Sequence, residues 1–555
     1  MNNKVRLLAS GAVLFAFALG TSVHAQVTAA AAPAAAAAAA GGGDTIEELV
    51  VTAEKRSQSL QDVPVAISAF TSEKRDLLGI TSIQDMTNFT PGLNYTSSND
   101  RAALRGIGRL TNAHPVAVPV AVYDDGIYTT STVTAAKSPI FTDRVEVLRG
   151  PQGTLYGRNS IGGAINIISK RPTEDPYAEV RATISNYDHT LLEAAVSGPL
   201  APDLQYRLAG NWEKQSEGYY KNLVPGMPSE GNVIDQYYVE GQLQAKFGDH
   251  VDGWVKGYIT GWNNGGGGPG ARAGYTNGPI GFGEYGNQYI NPGYACAPGN
   301  AVTNVVNTSP LGCTNPSNGN VRDFASNVAQ AVSLDDAYGL SAQFTYHFDG
   351  FDVKYIGGGI NYHYTLQQSN PGDTSISSFQ IPVAAFNPAL PPAAQGCPAT
   401  NAAGGSCAPL TVFPRQSSTY AENYHNFSHE INVGSSGQSS LQWLGGLYYY
   451  REGYKQPVFT TLYDQPQLAG TITPAVPGLT GPVGQDFQNR LYDDRPQFQE
   501  ESYATYGQVD WKFADSWKAT LGLRYSHDHL TGSESVRVIC FGPSACLNGS
   551  SPQLL

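Results

Sequence analysis

The stretch RVEVLRGPQGTLYGRNSIGGAINIISKRP, residues 144–172, decides the fold. Val145 and Val147 alternate with Glu146, the pattern of a short strand. A turn-prone run carrying Gly150, Pro151, Gly153 and Gly157 follows, and then an apolar, β-branched run, 161–168, stopped by Lys170, Arg171 and Pro172. The spacing predicts strand, turn and strand. Residues 153–160 superficially suggest a phosphate loop, but Arg158-Asn159-Ser160 does not supply the Gly-Lys-Ser/Thr that such a loop requires.

Working outward from this stretch, the 555 residues exceed one ordinary soluble core, so two or more domains are expected. Gly (62) and Tyr (32) are abundant and charged residues make up only 14%, which suits strands and turns better than helices. A net charge of −13 argues against a nucleic-acid partner. Beyond the N-terminus no apolar run is long enough to cross a bilayer as a helix, so a membrane form must be a closed β-barrel. Residues 1–25 read as a secretory signal: Lys4 and Arg6, an apolar run 7–19, and Val23-His24-Ala25 before Gln26. Residues 26–43, nearly all Ala and Gly, predict a mobile tether. The strand-prone segment Ile46, Glu47, Glu48, Leu49, Val50, Val51, Thr52 and Ala53 follows, within a region 44–57. It is suited to strand addition on another protein's sheet edge, and equally to serve as the first strand of the next domain.

Residues 58–172 predict a small α+β domain, with a strand at 63–70, helices at 72–78 and 82–87, and a hairpin turn at Asp124-Asp125-Gly126. Those two carboxylates read as turn chemistry, since no ligand cluster accompanies them, and no metal or other cofactor is expected. Arg105 and Arg149 each sit beside glycine in an apolar context, where a carboxylate fork is the best partner.

From 173 to 555 the chain alternates apolar and polar residues in segments of ~10, the pattern of outer-membrane strands. Eleven are predicted: 178–187, 190–198, 204–213, 237–247, 251–262, 337–347, 351–362, 423–434, 440–451, 501–513 and 517–526. Short turns alternate with the long polar intervals 214–234, 263–335, 363–420 and 453–498, as periplasmic turns alternate with extracellular loops. Tyr448, Tyr449 and Tyr450 suggest an interfacial aromatic girdle. All six cysteines fall in intervals read as extracellular. Fifteen pairings exist, of which Cys296–Cys313, Cys397–Cys407 and Cys540–Cys546 are the simplest, each closing one loop for roughly 3 kcal/mol at ~15 residues. No catalytic constellation is present: there is no G-x-S-x-G elbow, and His429-Glu430 lacks the second His of a zinc motif, so no enzyme is expected. Glu193, Glu240 and Glu430 point to the lumen by parity and are candidate partners for the arginines.

The stretch 144–172 resembles the C-terminal part of the plug of TonB-dependent outer-membrane receptors, at nearly every position. The resemblance extends from Ile46 to the C-terminus. It implies an all-β transmembrane barrel with an N-terminal α+β plug, and reads the segment from Ile46 to Ala53 as a TonB box. It implies that Arg105 and Arg149 lock plug to barrel, with Glu430 favoured because His-Glu-Ile-Asn resembles a recurrent family strand. The expected function is active, TonB-driven uptake of a scarce ligand in the outer membrane. A ferric siderophore is the first choice, and a glycan, aromatic compound or vitamin the alternative. Expected partners are TonB with its inner-membrane proton-driven complex, outer-membrane lipid and lipopolysaccharide, and an extracellular iron chelate. A passive porin-like channel or adhesin would need neither plug nor tether. Eleven strands are about half of the ~22 of plugged transporters. The chain also stops inside an expected sixth extracellular loop, so it reads as C-terminally truncated and is expected neither to insert stably nor to transport alone.

Overall fold

The computed structural model describes residues 50–540 and Gln553–Leu554. Within 50–540 it leaves out positions 53–54, 57, 62, 64, 97–100, 109–117, 130–136, 223–225, most of 266–327, most of 370–414, 438, 466–488 and 515–516. Outside the described residues therefore lie the leader and tether, Ile46, Glu47, Glu48, Leu49 and Ala53, and the side chains of all six cysteines.

The N-terminal domain begins with two short strands, β1 (Val50–Val51) and β2 (Gln58–Ser59), paired antiparallel. Strand β3 (Ala66–Thr71) leads into helix α1 (Ser72–Leu78), which Thr71 caps by accepting from the Lys74 N–H and which Gly79 ends with φ +66°. Helix α2 (Ile83–Met86) starts on a reciprocal capping box between Ser82 and Asp85. A three-stranded meander follows: β4 (Leu93–Thr96), β5 (Arg101–Leu104) and β6 (Ile107–Gly108). Then come β7 (Val120–Asp124), β8 (Ile127–Thr129), β9 (Thr142–Arg149) and β10 (Gly163–Ser169). The main sheet runs β3-β9-β10-β7-β8, with only β10 and β7 parallel. β7 and β8 join through Asp125 (φ +51°) and Gly126 (φ +87°), the paired positive φ that a tight hairpin turn requires. The expected strand-turn-strand of 144–172 is β9 and β10, in antiparallel register Val147↔Ile165 and Glu146↔Asn166.

Strand period decides what each face of this sheet meets. Val145, Val147, Ile165 and Ile167 pack with Ile80, Ile83 and Met86 under the helices. Leu148 and Ala164, on the opposite face, pack with Leu444, Tyr450 and Tyr506 of the barrel wall. Glu146 and Asn166 share that second face, so a carboxylate is committed to the interior.

Among the described residues the wall has eleven long strands: β11 (Tyr177–Ser185), β12 (His189–Ala201), β13 (Leu204–Gln215), β14 (Ile234–Phe247), β15 (Val251–Gly265), β16 (Ala331–Phe348), β17 (Phe351–Ser369), β18 (Gln416–Ser435), β19 (Leu441–Lys455), β20 (Gln497–Ala514) and β21 (Trp517–Ser533). Each is antiparallel to the next. All eleven expected segments are here, lengthened mainly at their loop ends. Leu208, Val239, Leu243 and Leu447 point out, while Arg207, Glu240, Gln242 and Glu430 are buried toward the plug.

Tyr448-Tyr449-Tyr450 corrects one expectation. A strand cannot present three successive side chains to one face. Tyr450 is fully buried against Tyr128 of the plug, and only Tyr449 faces outward, 5.0 Å from Tyr503.

The wall is also creased. β18 pairs through residues 423–434 with β19, but through 416–420 with the strand Val458–Leu462. That strand pairs with Arg490–Asp494, which pairs with Val536–Cys540. Pro457 and Pro496 lie on the crease; they donate no backbone N–H, but their carbonyls accept from Ala421 and Gln456 at 3.0 Å.

Candidate functional site: the coupling strand and the plug–barrel ties

The first site forms at residues 51–56, at the start of the described chain. Val51 is fully buried in the cluster that joins plug to wall. The Thr52 backbone N–H donates to Glu146 Oε1 at 2.8 Å, and its hydroxyl lies 3.2 Å from both carboxylate oxygens. Arg144 Nε donates to Glu146 Oε1 at 2.9 Å and Asn166 Nδ2 to Oε2 at 3.2 Å. Glu146 is fully buried and its oxygens are well supplied with donors, the condition for burying a carboxylate at tolerable cost.

Three residues further on, Lys55 takes a left-handed conformation (φ +58°), its N–H bonded to the Thr52 carbonyl at 3.0 Å. This turn aims the ammonium at the wall, where it forms an ion pair and hydrogen bond with Glu430 of β18. Tyr506 donates to the same carboxylate, and Asn432 Nδ2 does so at 2.8 Å. Burial lowers the Lys55 pKa and the Glu430 charge opposes that shift. The neighbouring Arg56 lies 3.6 Å from Asp510.

The β7–β8 turn makes the densest tie. Lys256 of β15, fully buried, pairs with Asp125 and with Asp124 at 3.2 Å, and donates to Ser169 Oγ at 2.9 Å. Lys137 pairs with Asp124 at 2.5 Å. Gln343 Nε2 donates to the Asp125 carbonyl at 2.9 Å, and Arg171 lies 3.4 Å over the Trp254 ring. Burial pushes the Asp125 carboxyl up, but Lys256, Arg171 and Lys137 together outweigh it and hold it below the usual carboxylate range. Elsewhere Arg158 of the plug forks onto Glu500 of β20, with Nη2 to Oε2 at 2.6 Å. Arg181 of β11 forks onto Asp76 of α1 at 2.8 and 2.9 Å, a more exposed pair.

The expected lock is therefore made by different cations. Glu430 faces the lumen as anticipated, but its partner is Lys55. Arg105 rests beside Gly150, Arg149 Nε is buried without a hydrogen bond, and neither makes an ion pair among the described residues. The reason is geometric: Arg105 (φ +53°) turns at the β5–β6 hairpin rather than toward β18. Glu240 accepts from Tyr238 and Gln242, while Glu193 Oε1 is buried without a partner. Sequence reasoning missed Lys55, Lys256 and Glu146. The signal for Glu146 was available, as a carboxylate between two valines of a buried strand must find donors inside. No group of three or more His, Cys, Asp or Glu able to hold a metal occurs among the described residues.

An α+β domain tied by buried ion pairs to the inner face of a lipid-facing antiparallel wall defines a plugged outer-membrane barrel. Residues 59–164 match the TonB-dependent Receptor Plug Domain family. The chain is 32% identical to the pesticin receptor of Yersinia pestis over 192 residues, 33% of this chain and 28% of that protein. It is 31% identical to the ferrichrome outer membrane transporter/phage receptor of Escherichia coli over 23% of this chain and 18% of that one. Among solved structures, the ferric yersiniabactin uptake receptor of Yersinia pestis superposes with TM-score 0.56 at 15% identity, covering 85% of this chain and 61% of that one. The chain thus spans about a third or less of the curated relatives it matches and about three fifths of that structure. Residues 59–164 thus carry the plug domain of TonB-dependent receptors, and the fold of the chain is similar to that of a solved plugged barrel.

Proposed function

We propose that the protein carries an iron chelate of the ferric-siderophore class across the outer membrane, driven by TonB acting on the segment from Ile46 to Ala53. One observation carries this reading: the end of that segment is bonded through Thr52 to Glu146 of the plug sheet, and Lys55 just beyond it is bonded to Glu430 of the wall. A pull on the tether loads these bonds first. Relatives named as ferrichrome and ferripyoverdine receptors support the ligand class. Residues 1–25 direct export and residues 26–43 give the coupling segment its reach. A channel without energy coupling has no use for a strand held in this way.

The test is Val50→Pro in the receptor expressed from its natural gene. Proline removes a donor and fixes φ, which breaks strand addition. Cells should keep binding radiolabelled ferric siderophores and lose uptake. Loss of binding together with uptake would instead show that the segment serves only the folded plug.

A further inference from the structure

A second cation lies beside the Lys55–Glu430 pair. Arg524 of β21 is opposite Tyr506 in register and projects inward with it. Its guanidinium sits 5.1 Å from the centre of the Tyr506 ring and 5.7 Å from that of Tyr448. Lys55 Nζ sits 5.0 Å from the centre of the same Tyr506 ring, whose hydroxyl donates to Glu430. Two cations therefore share one ring that ends on one carboxylate, and of the two only Lys55 is paired with it. Arg524 donates through Nε to Ser526 Oγ at 2.9 Å and makes no ion pair among the described residues. The plug holds it there. A Cβ at Gly157 (φ +79°) would stand 2.6 Å from the guanidinium carbon, so Arg524 is pressed between the plug backbone and the two tyrosines.

The significance of this arrangement appears when Lys55 is drawn away. Glu430 is buried, with 3% exposure, and keeps only the neutral donors Tyr506 and Asn432 from the contacts described above. Neutral donors alone leave its charge uncompensated, the condition that makes one-sided loss of a buried pair costly. A guanidinium on a long stem, already lying over the ring that leads to this carboxylate, can turn and fork onto it. Before release the two cations oppose each other: burial first, and the Arg524 charge after it, lowers the Lys55 pKa. The same neighbour thus loosens Lys55 while it is seated and stands ready to replace it.

We propose that Arg524 is the relief partner of Glu430: as Lys55 leaves, Arg524 takes its carboxylate, so release of the coupling segment exchanges one ion pair for another. Arg524 is in this sense a positioning residue, and the inference rests on the TonB-driven reading above. The receptor expressed from its natural gene, purified in micelles, is compared with Arg524→Gln and Arg524→Lys by amide hydrogen exchange at Thr52 and Lys55, whose bonded N–H groups exchange when the segment opens. Arg524→Gln should slow exchange at both about tenfold, as expected for loss of one charge-assisted contact in the open state. Arg524→Lys, which keeps the charge, should restore most of the natural rate. A role confined to packing against Gly157 predicts the opposite sign, faster exchange. Melting temperature gives an independent reading, since Arg524→Gln should lower it further in a Lys55→Met background than in the natural chain. Arg524→Met stands in should Arg524→Gln not fold. Exchange unchanged or faster without the Arg524 charge, or equal loss of melting temperature in both backgrounds, would overturn the proposal. Siderophore uptake is measured in parallel: slowed exchange with uptake insensitive to Val50→Pro removes the transport reading alone, and uptake lost in Val50→Pro with unchanged exchange in Arg524→Gln removes the relief partner alone.

Discussion

At the β7–β8 turn of the plug's main sheet two carboxylates meet Lys137 of the plug, Lys256 of the wall and the Ser169 hydroxyl, all buried. At Lys55 one ammonium meets one carboxylate, and the backbone carrying it belongs to a two-stranded ribbon of two residues per strand. Both are buried ion pairs between plug and wall, yet they differ in redundancy. Removing one charge from the turn still leaves others to share the field, whereas removing either member at Lys55 leaves a lone buried ion. Redundancy suits a tie that must persist, and a single pair suits one that must part. The bonds nearest the tether are the sparse ones.

Substitutions can break this comparison. The largest effect is expected for Lys256→Ala, which takes the one directly paired cation from the fully buried Asp125 and leaves Lys137 alone on Asp124. The cost should be about 3–5 kcal/mol, as for other one-sided losses of a buried pair, and protease accessibility of the plug reports it. Next comes Glu430→Leu, which leaves the Lys55 ammonium unpaired. The double variant Lys55→Met/Glu430→Leu should recover most of the loss in thermal unfolding, because replacing both ions by apolar groups removes the desolvation penalty. No recovery would mean that Glu430 acts mainly through Tyr506 and Asn432.

Acid should separate the two ties as well. The folded-state pKa of Asp125 is depressed, so its contribution is complete above the ordinary Asp value of about 3.9 and is lost as pH falls below it. Asp125→Asn should therefore flatten stability against pH in that window, and proton uptake on acid unfolding checks it. A smaller effect belongs to Thr52→Val: one hydroxyl contact to Glu146 disappears at a cost of about 1 kcal/mol, and amide exchange at Val51 and Thr52 should quicken. Smallest is Arg181→Ala, since its pair with Asp76 is largely exposed and worth under about 1 kcal/mol.

Much of the fold was legible because period two is written into the chain. Leu208, Val239 and Leu447 face out and Arg207, Glu240 and Glu430 face in, as alternation requires. The helix expected at 72–78 matches α1, and the caps Thr71 and Gly79 that set its ends are local. The ties were less legible because they depend on which residues two separate domains bring together. Glu430 could be placed on the inner face from its own strand. Its partner could not, since Lys55 reaches it only through a left-handed turn after Thr52. Arg105 and Arg149 satisfied every local criterion for a lock and still point elsewhere. Three tyrosines in a row were read by composition, where parity would have assigned Tyr448 and Tyr450 inward.

The crease at Pro457 and Pro496 has an architectural consequence. Above it, the short strands Val458–Leu462, Arg490–Asp494 and Val536–Cys540 form a layer with its own pairing, while the register of β18 to β21 below is fixed independently. The upper storey can therefore be remodelled, shortened or grafted without renumbering a single pair in the wall that grips the plug. The short upper strands and the plug-gripping wall are, in that sense, separately editable.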